Sequence, residues 1–140
     1  MLASFHLHRR KSHPQGELVE SDVAQLRDAS LAAVYYARRK DRDFHDFLRI
    51  GPNRVLFALL ECIDGKKGSQ KIAPAVRTTF RQVGPQVFAK QDINLAEAMI
   101  ELCLQLNRTI LETADETRSC PAFVGCYEET LSTLWYVNAG

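Results

Sequence analysis

The stretch that decides the fold is RVLFALLECI, residues 54–63, a nearly continuous run of apolar residues. A run of this length with turn residues on both sides predicts a β-strand. Gly51-Pro52-Asn53 comes before it, and DGKKG (64–68) comes after it. Because apolar residues fill both alternating sets of positions, the pattern predicts a central strand that is buried on both faces.

Strand patterns also lie on either side of this run. SLAAVYYARR (30–39) and DFHDFLRIG (43–51) precede it and are rich in aromatic and β-branched residues. Near the end of the sequence, CPAFVGCYE (120–128) and TLWYVNA (133–139) predict two strands that are joined by a turn around Glu129-Thr130. Residues 18–28 predict a short helical turn, for which Ser21 is a candidate N-cap.

Helical periodicity fills the space between the third and fourth strands. Residues 70–83 place Ile72, Val76, Phe80 and Val83 on one stripe, and Gly84-Pro85 should end or kink this helix. A second helix is predicted over 95–114, with Asn94 and Glu97 as a capping box. Its apolar stripe consists of Leu95, Met99, Leu102, Leu106 and Ile110. Strands followed by helices and further strands predict an α+β fold, with helices packed on a mainly antiparallel sheet.

Composition excludes several classes of protein. A length of 140 residues suits one domain, and a net charge of +1 lacks the basic excess of a general nucleic-acid binder. No apolar run approaches the roughly 18 residues of a membrane span, so no membrane contact is expected from this segment. The first residues lack the apolar core of an export signal, which predicts a cytoplasmic protein.

Neither the N-terminal residues nor the cysteines indicate a functional site. Residues 1–16 are rich in His, Lys and Arg and predict a flexible tail, which leaves 17–140 as the folded part. The four cysteines form no C-x-x-C pair and fit no zinc module, so buried, reduced thiols are expected.

The order of three short motifs is more informative. In LAAVYYARRKDRDFHDFLRIG (31–51), Asp43, Asp46 and Phe47 keep a D-x-x-D-F spacing. In VLFALLECIDGKKG (55–68), an apolar strand runs into an acidic, glycine-containing loop. FVGCYEETLSTLWYVNAG (123–140) is a hairpin whose second strand ends in Y-V-N-A-G, and a helix over 101–112 precedes it.

From about Ala29 to Gly140 these motifs resemble the metal-dependent type 2C protein phosphatases. The similar branch is the bacterial one that includes the sporulation phosphatase and the stress-response regulators of sigma factors. The resemblance implies a partial β-sandwich that lacks its C-terminal strands, because the family continues beyond Y-V-N-A-G with a histidine, more strands and two metal-binding aspartates. We therefore expect 17–140 to be the N-terminal part of such a domain, with exposed sheet edges that favour self-association.

The resemblance also implies a metal site. In the family, two Mn²⁺ or Mg²⁺ ions activate a water that attacks phosphoserine or phosphothreonine. The first acidic ligand corresponds to Asp43 and the second to Glu61, with a backbone carbonyl of Leu60 or Cys62 as a further candidate. Asp64 is a candidate substitute ligand. The implied substrate is a phosphorylated regulatory protein, such as an anti-sigma-factor antagonist.

Departures from the family pattern leave the activity open. Glu61 replaces an aspartate of the family pattern and is one methylene longer. Leu60 replaces a glycine, and Asp41 and Arg42 replace two more glycines. One hypothesis is a phosphatase that is impaired in this chain. The alternative is a pseudophosphatase, a non-catalytic module that binds a signalling partner. A third is a structural or dimerising domain unrelated to phosphate, in which case Asp43 and Glu61 need not lie close together.

Overall fold

The computed structural model divides the chain into two compact units, Met1–Lys40 and Asp41–Gly140. The predicted tail over 1–16, Cys62 and Asp64 lie outside the residues that the structure describes. The described residues are 18–20, 24–26, 29–31, 34–36, 43–61, 71–90, 92–114 and 119–140.

In the first unit, short strands pair in an antiparallel manner. Strand β1 (Leu18–Glu20) pairs with β4 (Val34–Tyr36), and β2 (Ala24–Gln25) pairs with β3 (Ser30–Leu31). The helical turn predicted for 18–28 is therefore wrong over its described residues. Pairing with the β-branched and aromatic residues of β4 outweighs the local helical signal.

The second unit contains one antiparallel sheet and two helices. The strands are β5 (Asp43–Ile50), β6 (Arg54–Glu61), β7 (Ala122–Glu128) and β8 (Thr133–Ala139), in that spatial order. The helices α1 (Ile72–Phe88) and α2 (Leu95–Thr113) lie between β6 and β7 in the chain. This arrangement confirms the predicted α+β class. Among the described residues, no helix is long and apolar enough to span a membrane.

Both helices cover the same face of the sheet. The even-numbered residues of β5 and β6 point toward them, and Phe44 and Phe80 meet edge to face with ring centroids 5.8 Å apart. Leu56 and Phe88 are fully buried in the same cluster. The buried stripe predicted for α2 is confirmed at all five positions, and Asn94 caps this helix by accepting hydrogen bonds from the backbone N–H groups of Ala96 and Glu97.

The opposite face of the sheet, which we call the outer face, is only partly covered. Val55 is fully buried at one end of β6, but Leu59 is 49% exposed and Tyr136 on β8 is 62% exposed. The rings of Phe57, Phe123 and Tyr136 stack across three strands, with centroids 5.9 Å and 5.4 Å apart. The prediction that the central strand is buried on both faces is therefore wrong, because an apolar run does not reveal which face the helices cover.

Helix α1 does not end at Gly84-Pro85. It continues to Phe88, and Ala89 donates a backbone hydrogen bond to the carbonyl of Pro85 at 3.1 Å. Gly84 is buried, and a Cβ atom there would stand 2.8 Å from Cδ2 of Leu56. The close packing of a residue without a side chain against β6 offsets the helix-breaking tendency of the Gly-Pro pair.

The guanidinium of Arg54 joins three elements at one end of the sheet. Its Nε donates to the carboxylate of Glu128 on β7 at 2.5 Å. Its Nη1 donates to the carbonyls of Phe88 and Lys90 at 2.8 and 2.9 Å, so it also satisfies carbonyl groups at the end of α1. Thr130 donates to the second carboxylate oxygen of Glu128. Burial alone raises the pKa of Glu128, but the hydrogen bonds from Thr130 and Arg54 and the charge of Arg54 bring this pKa below its usual value.

Replacing Arg54 with Met should lower the free energy of unfolding by about 3 kcal/mol, because Glu128 would keep a buried charge without its main partner. Urea denaturation at pH 7 measures the loss. The double variant Arg54→Met/Glu128→Leu should recover much of it, since removing both charges removes the desolvation penalty. A double variant as unstable as Arg54→Met would contradict this account.

The stability should also depend on pH through Glu128. The pKa of Glu128 in the folded state lies below its pKa in an unfolded chain. The ionised carboxylate therefore stabilises the fold above about pH 4.3, and this stabilisation is lost as the pH falls through the folded-state pKa. Glu128→Gln should therefore be less stable than the wild type at pH 7 and should lose less stability on acidification. Urea midpoints measured across the acid range test this. If the midpoints of the two proteins fall in parallel with pH, Glu128 does not contribute to the pH dependence of stability.

Gly125 on β7 accommodates the ring of Phe57. A Cβ atom at position 125 would lie 2.3 Å from Cζ of this ring and 2.8 Å from two further ring atoms. We expect Gly125→Ala to destabilise the fold by about 1–3 kcal/mol, because the packed ring must move. The same substitution in a Phe57→Leu background should cost less. Thermal melts of the four proteins test this, and equal costs in both backgrounds would argue against the clash.

Candidate functional site

Asp43 and Glu61, predicted as metal ligands from separate motifs, lie directly opposite each other. Strand β5 begins at Asp43, β6 ends at Glu61, and these two residues are register partners in the antiparallel pair. Both residues are exposed. Opposite positions of an antiparallel pair place their Cβ atoms about 5 Å apart, so one cation is within reach of both carboxylates.

The short turn between the strands determines this register. Gly51 adopts a φ of 61°, a left-handed conformation that glycine accepts at low cost. Ile50 consequently pairs with Arg54, and counting outward from this pair brings Asp43 opposite Glu61. Asp43 and Glu61 are register partners because β5 and β6 have equal length on either side of the turn.

The backbone around Glu61 is held in place while its side chain is exposed. Phe44 and Leu60, the adjacent register pair, are buried under the helices, so alternation assigns Asp43 and Glu61 to the outer face. The N–H of Glu61 donates to the carbonyl of Pro121 at 3.0 Å, which ties the end of β6 to the segment that leads into β7. The carboxylate of Glu61 therefore extends from a fixed strand end.

The electrostatics of the pair favour a cation. In the described part of the chain, neither Asp43 nor Glu61 forms an ion pair with a basic side chain. Like charges at opposite positions destabilise a strand pair unless a counter-charge is present. His45, two residues along β5, does not supply that charge at neutral pH. Burial lowers its pKa, and the charge of Arg77 lowers it further, against the opposing effects of Asp46 and Asp43.

The carboxylates of Asp43 and Glu61 suit Mn²⁺ or Mg²⁺, which prefer oxygen ligands. Within the described ranges, no group of three or more His, Cys, Asp or Glu side chains is placed to hold a metal ion. The side chain of Leu60 is 5% exposed and belongs to the core. Cys62 and Asp64, the other candidate contributors, lie outside the described residues. The described site is thus a pair of carboxylates.

Asp46, the other acidic residue of the D-x-x-D-F motif, has a different role. Its two oxygens accept hydrogen bonds from Nε and Nη2 of Arg81 on α1, at 2.7 and 2.9 Å. The hydrogen bond to Asp46 raises the pKa of Arg81. Asp46 therefore anchors α1 to β5. Sequence analysis did not identify Arg81, because a separation of 35 residues gives no local signal.

A cavity of about 80 Å³ lies on the other side of the sheet, under α2. It is mainly apolar, and its walls include Phe44, Leu60, Cys103, Leu106, Cys120 and Val137. Of the described cysteines, Cys126 is buried as predicted, whereas Cys103 and Cys120 are only partly buried. Burial raises the pKa of Cys126 to about 12 and also raises that of Cys103, which disfavours reactive thiolates at both positions.

Comparisons of the chain with protein-family models, with curated proteins and with solved structures found no significant match.

Proposed function

We propose that this chain forms part of a type 2C-like metal-dependent protein phosphatase domain, in which Asp43 and Glu61 bind Mn²⁺ or Mg²⁺. The observation that carries the proposal is the direct register pairing of these two residues. The proposal takes them from two motifs that are separated in sequence, and the register of the β5–β6 hairpin brings these two exposed acidic residues opposite each other.

The outer face supports the finer description of the fold as part of a β-sandwich. Its stacked rings and the half-exposed Leu59 form an apolar surface of the kind that a second sheet covers in a sandwich. The carboxylates of Asp43 and Glu61 lie at the end of this same face. A metal ion bound there would supply Lewis-acid activation of a water for hydrolysis of a phosphoserine or phosphothreonine ester.

The residues of this chain hold the two carboxylates in place and set the charge around them. The strand ladder and the hydrogen bond from Glu61 to Pro121 hold the two carboxylates on rigid backbone. Burial and the charge of Arg77 lower the pKa of His45, which favours its neutral form beside Asp43. The proposed substrate is a phosphorylated regulatory protein, such as an anti-sigma-factor antagonist, in a cytoplasmic signalling system of bacteria.

A non-catalytic, partner-binding role is the second candidate, and two observations favour it. Glu61 is longer than the aspartate of the family pattern, and its exposed carboxylate has more freedom than a precise site tolerates. Leu60, where the family pattern has glycine, is buried in the core and fixes the strand at that point. Both features are compatible with metal binding and unfavourable for turnover.

Calorimetric titration of Mn²⁺ into the protein tests the site. We expect binding, and we expect Asp43→Asn and Glu61→Gln each to weaken it roughly tenfold or more, because each removes one of two charges within a few ångströms of the ion. Asp92→Asn, at an exposed turn position, is the matched control and should bind like the wild type. An absence of binding, or binding that neither variant weakens, would overturn the proposal.

Hydrolysis of a phosphoserine peptide, measured with and without Mn²⁺, separates the two candidates. Turnover that requires Mn²⁺ and falls in both variants indicates an impaired phosphatase. Metal binding with no turnover indicates the partner-binding alternative.

A further inference from the structure

Helix α2 carries a second apolar stripe, which faces away from the core. Ile100, Leu104 and Leu111 are 56%, 58% and 58% exposed. Their spacings of four and seven residues, with Asn107 in the gap, repeat the alternating four- and three-residue steps of a coiled-coil seam. We call Ile100, Leu104, Asn107 and Leu111 the α2 seam.

The seam is distinct from the stripe that holds α2 to the sheet. The buried positions Leu102, Leu106 and Ile110 pack in the core under the helix. Leu104 and Arg108, on the opposite side, are exposed, and Asn107 is exposed at the flank of the helix, where it also lines the cavity under α2. Within the described residues, the core packs against one of the two apolar stripes of α2. The second stripe consists of large aliphatic side chains that are more than half exposed to water.

We propose that the α2 seam is the interface of a homodimer in which the α2 helices of two copies pack antiparallel. With the two-fold axis near the middle of the seam, Ile100 lies opposite Leu111 of the second copy. Leu104 then lies opposite Asn107 of the second copy. All four seam positions are used, and each contact occurs twice, as a two-fold interface requires.

The flanking charges argue for a second copy of this chain and for the antiparallel orientation. Glu101 and Arg108 flank the seam on the same side, each following a seam residue. In the antiparallel pair, Glu101 of each copy lies beside Arg108 of the other, so two glutamate–arginine ion pairs form across the interface. In a parallel pair, the same positions would face Ala96 and Cys103, which offer no charge.

The two charged groups are available for this contact. Arg108 has no ion-pair partner among the described residues. In the described part of the chain, Glu101 accepts a hydrogen bond at Oε1 from the amide of Gln105, at 2.8 Å, which leaves Oε2 to accept from Arg108 of the second copy in the proposed dimer. Asn107 is a polar residue inside an apolar seam, a feature that sets register and the number of helices at some cost in affinity.

The seam is short, so the dimer should be weak. From Ile100 to Leu111 it covers three helical turns, or about 17 Å at 1.5 Å per residue. Such a contact lies at the small end of specific interfaces, which corresponds to a dissociation constant in the micromolar range or weaker. Dimerisation should therefore depend strongly on protein concentration.

Sedimentation velocity over a series of concentrations up to roughly 0.5 mM tests the proposal, because this range populates a dimer of micromolar affinity. The wild type should shift from monomer to dimer. Leu104→Glu should remain monomeric, because it places a charge in the seam. Leu131→Glu is the matched control, since Leu131 is 64% exposed and lies in the turn between β7 and β8. The control should dimerise like the wild type.

A charge exchange tests the orientation. Glu101→Arg should weaken the dimer at least roughly tenfold, because two attractive pairs become two repulsive ones. The double variant Glu101→Arg/Arg108→Glu should restore it, since every pair is again of opposite charge. Circular dichroism melts establish that the variants are folded, which is expected because the substituted side chains are exposed.

Three results would overturn the proposal. They are a wild type that stays monomeric throughout, a Leu104→Glu variant that still dimerises, and a double charge variant that remains as weak as Glu101→Arg. Dimerisation that Leu131→Glu abolishes and Leu104→Glu leaves intact would assign the interface to another surface and would equally reject the α2 seam.

Discussion

Among the described residues, strand β6 has a paired neighbour on each side and helices over one face, and this asymmetry determines most of the structure. On the covered face, Leu56 packs so close to α1 that a Cβ atom at position 84 would lie 2.8 Å from its Cδ2. At one end of the strand, Arg54 ties the sheet to the last carbonyls of α1. At the other end, the ladder brings Glu61 opposite Asp43. Packing, charge pairing and the candidate site are thus arranged along one strand.

The acidic residues of the sheet and of its β7–β8 turn separate into two groups by environment. Glu128 and Glu129 are 4% and 8% exposed, and both meet arginines, so they stabilise the fold. Asp43 and Glu61 are exposed and lie opposite each other in the strand ladder. A protein gains nothing in stability from two facing carboxylates, and this arrangement is the kind of local conflict that functional sites carry. The contrast is the physical reason to regard Asp43 and Glu61, rather than Glu128, as the candidate site.

Much of the second unit could be predicted because its signals are local. The stripe and Asn94 cap of α2 depend on residues within four positions of one another, and the strands on either side of Gly51 follow from one turn. The register of Asp43 and Glu61 was also within reach, by counting outward from that turn. The burial of β6 could not be predicted, because the sequence pattern does not show which face of the strand the helices cover. Similarly, Gly84-Pro85 stays helical through contacts with Leu56, which no window of sequence contains.

The position of the helices in the chain has a consequence for how this unit folds. Strands β6 and β7 are adjacent in the sheet, but 60 residues separate Glu61 from Ala122 in the chain, and α1 and α2 lie between them. The hairpins β5–β6 and β7–β8 and the helix pair each form from neighbouring segments, whereas the β6–β7 ladder requires closure of that long loop. This ladder should therefore set the folding rate, so shortening the connection would speed folding more than strengthening either hairpin.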